Sequence, residues 1–262
     1  MNTIEITSWQ LALGYTLLAF PLGILLWYRV PMLGKTALAL VRMTVQLAFV
    51  GVYLHVIFEY NNVWLNAAWL LVMISVADAS IIRGCGLRLS RFALPLFGAL
   101  LAGTAVPLLF FVGLILSRPN LLDAQYAIPI GGMILGNCLR ADIIGIKSFY
   151  DSIRTSEKAF LHALSQGATL HEAVRPFLRN AFLAAMTPTV ATMATIGLVA
   201  LPGMMTGVIL GGADPVIAIK YQIAIMIAIF SGTAITLVVA INATMRSSFT
   251  AYGILDKTVF KE

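Results

Sequence analysis

The chain has 262 residues, of which 60% are hydrophobic and 11% charged, against roughly 25% charged in a soluble domain. A soluble body of this size has too little interior to hide so much apolar surface, so the excess must face lipid. The formal charge of +6 invites a nucleic-acid reading, but the mean hydropathy of +0.93 argues against one and no nucleic-acid partner is expected.

The first eight residues, MNTIEITS, carry no Lys or Arg, so the basic region of a secretory leader is missing. A bilayer core of ~30 Å needs about 20 helical residues. Seven stretches meet that length: 9–28, 36–58, 64–82, 92–116, 126–147, 181–201 and 216–245. Helices are the natural solution, because lipid offers no partner for an open backbone group, and long unbroken apolar runs do not suit a barrel. The expected class is therefore all-α, a polytopic membrane protein of about seven transmembrane helices forming one domain over residues 1–262.

The basic residues give the expected orientation. Arg29 and Lys35 follow the first span, and Arg83, Arg88 and Arg91 the third. Lys147, Arg154, Lys158, Arg175 and Arg179 follow the fifth, and Arg246, Lys257 and Lys261 the seventh. Only Arg118 and Lys220 fall on the other side. Under the positive-inside rule the N-terminus is outside and the C-terminus cytoplasmic, in the cell's inner (plasma) membrane.

Motifs for chemistry fail in turn. Gly34-Lys35-Thr36 ends like a phosphate-binding loop, but the required earlier glycine is Arg29 and a membrane span follows. The chain therefore cannot bind ATP by a Walker loop of its own, and no cofactor is expected on it. His171-Glu172 does not become HExxH, because Arg175 stands at the second histidine. His55 and His162 are isolated, and Cys85 and Cys138 have no metal-ligand spacing. A transport subunit is expected rather than an enzyme, and no metal ligands are assigned.

Polar residues inside spans are costly and either pair or line a wet path. Arg42 and Gln46 share a face of the second span, Asp78 lies late in the third, and Asn137, Arg140 and Asp142 lie in the inner half of the fifth. An ion pair of Arg42 with Asp78 or Asp142 and a solute path both fit. Gly132 and Gly136, and Gly203, Gly207 and Gly211 after Pro202, repeat at four-residue spacing. Such a stripe lets helices approach closely, as fixed packing or as a moving gate. Met204 and Met205 are packing residues or soft metal ligands.

The hydrophilic segment 148–180 reads as helix, break, helix. Gly167 suits a helix C-terminus, and Thr169 with Glu172 forms a capping-box pattern. Gly167, Ala168, Thr169 and Glu172 are either an ATPase-docking elbow or part of an ordinary surface hairpin.

Pro129 to Asn137 (PIGGMILGN), Gly167-Ala168-Thr169, Gly197 to Gly207 (GLVALPGMMTG), Ile209 to Gly212 (ILGG) and Tyr221-Gln222-Ile223 together strongly resemble the FetB-type permease family. That family contains bacterial iron-export permeases and plant aluminium-tolerance permeases. The resemblance runs from Arg42 and Gln46 onward. It implies an ABC permease of about seven spans, a separate cytosolic ATPase, a homodimer, and export of iron or another metal. Gly167-Ala168-Thr169 matches the glycine part of the permease coupling loop, while Leu161-His162-Ala163 replaces its alanine part. Val208 stands where members often have Gln, and Val190, Ala191 and Thr192 where they tend to have Asn and Ser. A non-metal cargo such as a sugar nucleotide is the alternative, and an ATP-independent channel or scaffold a third.

Overall fold

The computed structural model describes residues 7–250 and 252–256. Lys257 and Lys261, used above for orientation, and residues 1–6, used for the leader argument, lie outside the described residues. The chain is helical throughout its spans and falls into two compact units.

The first unit comprises the described part of Met1–Tyr60 together with Leu210–Gly212. Helix α1 (Ser8–Thr16) starts on a capping box, in which the Thr7 hydroxyl accepts from Gln10 N–H. A turn at Leu17 and Leu18 separates it from α2 (Ala19–Trp27). Pro21 explains the break, because its missing N–H leaves the Leu17 carbonyl without its helical donor. Helix α3 (Leu33–Tyr60) follows, and the Tyr15 and Thr44 hydroxyls tie α1 to it.

The second unit is built on α6 (Ala124–Thr155). Around it pack α4 (Val63–Gly84), α5 (Leu89–Phe110) and α10 (Pro215–Ser248), with α8 (Leu170–Thr195) on a further side. Phe92 and Leu96 of α5, Ile134 and Phe149 of α6, and Ile225 and Leu237 of α10 are fully buried. Leu94 and Trp64, both more than four-fifths exposed, face outward as lipid-facing residues do. Lipid tails are as apolar as these side chains, so the helices are held by close packing rather than by transfer from water. The closest approach is between α5 and α10. A methyl on Gly232 would lie 2.5 Å from the Gly103 carbonyl oxygen, so only glycine fits there.

Among the described residues six helical segments are long and apolar enough to cross a membrane: Ser8–Trp27, Leu33–Tyr60, Val63–Gly84, Leu89–Ile115, Ala124–Thr155 and Pro215–Ser248. The segment expected at 181–201 is the distal half of α8. It stops at Thr195, six residues early, because the chain turns at Gly197 with φ of +87°. Helix α8 as a whole lies outside that set of six. With its distal half included, the architecture is the expected all-α one of about seven crossings.

Between α6 and α8 lies the elbow helix α7 (Glu157–Ser165). Its end is a Schellman closure: Gly167 N–H donates to the Leu164 carbonyl at 3.0 Å and Ala168 N–H to Ala163 at 3.2 Å. Gly167 has φ of +89°, which strains any other residue. The Phe160 ring meets Phe177 of α8 and Phe249 after α10, centroids 6.1 and 5.9 Å away, so the elbow is seated on the body.

Candidate functional site

A cavity of about 540 Å³ opens among α6, α8, α10 and the short helix α9 (Gly203–Leu210), within the size range of small-molecule sites. Each wall follows from helical spacing. Met133, Asn137, Arg140 and Ile144 recur three or four residues apart along one face of α6. Pro188 and Thr192 do the same on α8, and Gln222, Met226 and Ile229 on α10. The fourth wall is the turn after α8 with Pro202, Gly203 and Met204.

The polar groups are ordered by hydrogen bonds. Asn137 Nδ2 donates to the Met133 carbonyl at 2.7 Å, which fixes the amide. Its Oδ1 then accepts from the Arg140 guanidinium at 3.1 Å. Arg140 is the ionisable side chain of the lining. Gln222 is 8% exposed, and its Oε1 has no partner among the described residues. A buried amide oxygen without a donor costs about 1–3 kcal/mol, so a ligand group or water that donates to it is favoured. The lining therefore offers a cation, two amides, threonine hydroxyls and the thioethers of Met133, Met204 and Met226.

The residues expected on a solute path separate. Asn137 and Arg140 line the cavity. Asp142, two residues beyond Arg140, turns to another face of α6, where it is fully buried and accepts from the Thr236 hydroxyl at 2.9 Å. Asp78 is buried on α4 with its Oδ1 unpartnered among the described residues. Neither lines the cavity. Arg42 and Gln46 are exposed on α3 in the first unit. Among the described residues Asp142 has a threonine partner, and no basic side chain of its own unit forms an ion pair with Asp78 or Asp142.

The glycines expected to form stripes have these surroundings. Pro202 precedes α9 and its carbonyl accepts Thr206 N–H at 3.0 Å, so it opens the helix rather than kinking it. Gly203 and Gly207 have no atom within 4 Å of an added methyl, and Gly211 lies beyond the end of α9. Gly136 is likewise open, and Gly132 meets only the flexible tip of Met73 at 3.1 Å. The close approaches are at Gly103, Gly145 and Gly232, none in a regular stripe. Met204 faces the cavity, whereas Met205 is buried and does not line it.

The elbow residues lie where their spacing predicts. The Thr169 hydroxyl accepts Glu172 N–H at 3.3 Å, and the Glu172 carboxylate accepts Thr169 N–H at 2.8 Å. Those bonds stabilise the charged form and hold the Glu172 carboxyl below its ordinary range. From that cap, α8 runs unbroken past Pro176 to the cavity residues Pro188 and Thr192.

Gln222, Met133, Met226 and Thr189 escaped the residue-by-residue reading. Gln222 carried a signal, as a polar side chain within a span, but appeared only as part of a three-residue string. Among the described residues no three His, Cys, Asp or Glu side chains gather as metal ligands.

A family profile described as "Uncharacterised protein family (UPF0014)" matches residues 8–249. A UPF0014 membrane protein of Synechocystis is 33% identical over 91% of this chain and 90% of its own. The "Probable iron export permease protein FetB" of Escherichia coli is 29% identical over the whole of both chains. The "Protein ALUMINUM SENSITIVE 3" of Arabidopsis thaliana is 30% identical over 87% of this chain and 82% of its own. No solved structure matches the chain. With the profile spanning nearly every described residue and relatives aligned almost end to end, this chain belongs to the UPF0014 family of membrane proteins.

Proposed function

We propose that the chain is the permease subunit of an ABC exporter for iron or another metal. It works as a homodimer with a separate cytosolic ATPase that holds ATP and magnesium. It sits in the inner (plasma) membrane with its N-terminus outside and its C-terminus in the cytoplasm. The observation that carries the reading is continuity between elbow and cavity. The α7–α8 elbow joins two helices, α6 and α8, that both line the cavity. A push on the capped start of α8 reaches Pro188 and Thr192 along one helix of 26 residues, about 39 Å at 1.5 Å per residue. The thioethers of Met133, Met204 and Met226 suit a soft or borderline metal, and the iron-export name belongs to a full-length relative.

One feature favours a second cargo class. Arg140 is a cation in the lining, which repels a bare metal ion and attracts an anionic complex of it, or an anionic solute such as a sugar nucleotide.

The test is co-purification and flux. Gly167→Leu strains the +89° position and opens the Schellman closure, so ATPase co-purification should fall while the permease stays in the membrane. Proteoliposomes of permease and ATPase should expel iron only with ATP. Undiminished association of the variant removes the docking role, and ATP-independent iron flux removes the exporter reading in favour of a channel.

A further inference from the structure

A second cavity, of about 290 Å³, lies where α4 ends. Its wall combines Arg83, Cys85 and Gly86 with Lys147, Asp151 and Arg154 of α6. Arg83 is in the last turn of α4, and its Nε donates to the Ala79 carbonyl at 3.1 Å, which steadies the guanidinium. Gly86 takes φ of +65°, and Leu87 beyond it is fully buried, so the turn is pinned to the body. Lys147, Asp151 and Arg154 follow at helical spacing, so all three share one face of α6. Three cationic side chains and one carboxylate thus line one pocket. Arg154 has a partner of its own, the Tyr150 hydroxyl bonds to Ser248 at 2.8 Å, and Cys85 Sγ to the Ile143 carbonyl at 3.8 Å.

Depth decides what such a pocket meets. The spanning helix Val63–Gly84 ends at its rim, and span ends lie at the level of lipid headgroups. Helix α6, with 32 residues, is about 48 Å long and outreaches a ~30 Å hydrocarbon core. Its last turns, bearing Lys147 and Arg154, therefore stand among headgroups or in water. An excess of guanidinium and ammonium groups in a cleft at that depth suits a phosphate oxyanion. The net charge disfavours a zwitterionic headgroup, whose own ammonium would enter a positive field. We propose that this pocket binds the phosphate of an anionic phospholipid headgroup. It is separate from the α6–α8–α10 cavity and independent of the transport reading.

The experiment uses the purified full chain in mild detergent. Its melting temperature is followed while phosphatidylglycerol, phosphatidylcholine or inorganic phosphate is added. Phosphatidylglycerol should stabilise the protein saturably, with little effect of the other two. Arg83→Gln and Lys147→Gln should each weaken that apparent affinity about fivefold, and the double variant roughly twenty-five-fold. Arg88→Gln is the control, because Arg88 is exposed in the same turn and does not line the pocket. Loss as large in Arg88→Gln as in the pocket variants would overturn the site in favour of diffuse surface charge, and equal stabilisation by phosphatidylcholine would overturn it in favour of a headgroup-independent lipid effect. Saturation by inorganic phosphate with the same dependence on Arg83 and Lys147 would overturn the lipid and assign the pocket to a soluble anion. If the double variant folds poorly, native mass spectrometry of the wild-type chain decides, with preferential retention of phosphatidylglycerol expected and equal retention of both lipids refuting.

Discussion

Two glycine-to-alanine changes should have opposite signs. At Gly232 the new methyl would lie 2.5 Å from the Gly103 carbonyl oxygen and 2.9 Å from Ile134 Cγ2. One obstacle is backbone and the other a packed core side chain, so α5 and α10 must separate. Alanine improves helix propensity by up to ~1 kcal/mol over glycine, while overpacking costs about 1–3 kcal/mol. With a backbone atom as the obstacle the cost sits at the upper end, for a net loss of about 1–2 kcal/mol. At roughly 2–4 °C per kcal/mol for a chain of this size, Gly232→Ala should melt about 2–8 °C lower. At Gly207 no atom lies within 4 Å, so only the propensity gain applies, and Gly207→Ala should melt no lower than wild type and up to about 4 °C higher. The assay is tryptophan fluorescence on heating in one detergent, with size-exclusion recovery as a second readout. A lower melting point for Gly207→Ala than for Gly232→Ala would refute the packing argument and return the 203–211 stripe to a close helix contact.

Removing the cavity cation, Arg140→Gln, should leave melting within about 1 °C, since Arg140 is exposed and bonded only within α6, while ATP-driven flux of an anionic metal complex falls at least tenfold. Unchanged flux would remove Arg140 from the path. Glu172 has its carboxyl depressed from 4.5 by the Thr169 N–H and hydroxyl, so its capping contribution is full above pH 4.5 and fades as pH falls through the lowered folded value. Elbow amides of 169–172 should therefore exchange faster at acid pH in wild type, and Glu172→Gln should flatten that dependence. Cys85 is pushed from 9.0 to about 12, by burial first and then by the nearby Asp142 carboxylate, so its thiolate is much scarcer at pH 8 than in a free cysteine. Iodoacetamide should label it slowly in the native protein and fast in dodecyl sulfate; equal rates would contradict the burial. Single cysteines at Ser8 and Tyr252, both exposed, should react with an impermeant maleimide from the outside and the inside respectively, and labelling of both from one face would reverse the proposed topology.

The all-helical, membrane-spanning character was legible in the sequence, because it follows from local quantities that the chain carries everywhere. A run such as 216–245 is apolar over its whole length, and a bilayer permits no other backbone solution there. The elbow was legible for the same reason. A helix stop at Gly167 and a start at Thr169 are made by neighbours three to five residues apart, so Leu164, Ala163 and Glu172 meet them whatever the rest of the chain does.

What needed the tertiary structure was every pairing between helices. Gly203 and Gly207 have the ideal spacing for close approach and have open space beside them, whereas Gly103 and Gly232, far apart in sequence, form a tight backbone seam. Spacing says which residues share a face of one helix but not which neighbour that face meets. Asp142 and Arg140 illustrate it at two residues' separation: one turns into a threonine-lined seam with α10, the other into the cavity. Gln222, Met226 and Thr192 join Arg140 only because α8 and α10 both pack against α6. The sequence by itself determined the solvent this protein lives in and the local signals that start and stop its helices, since both are short-range. The tertiary structure alone decided which polar groups share a cavity, because that depends on helix pairings set by packing in a medium with no hydrophobic preference among apolar faces.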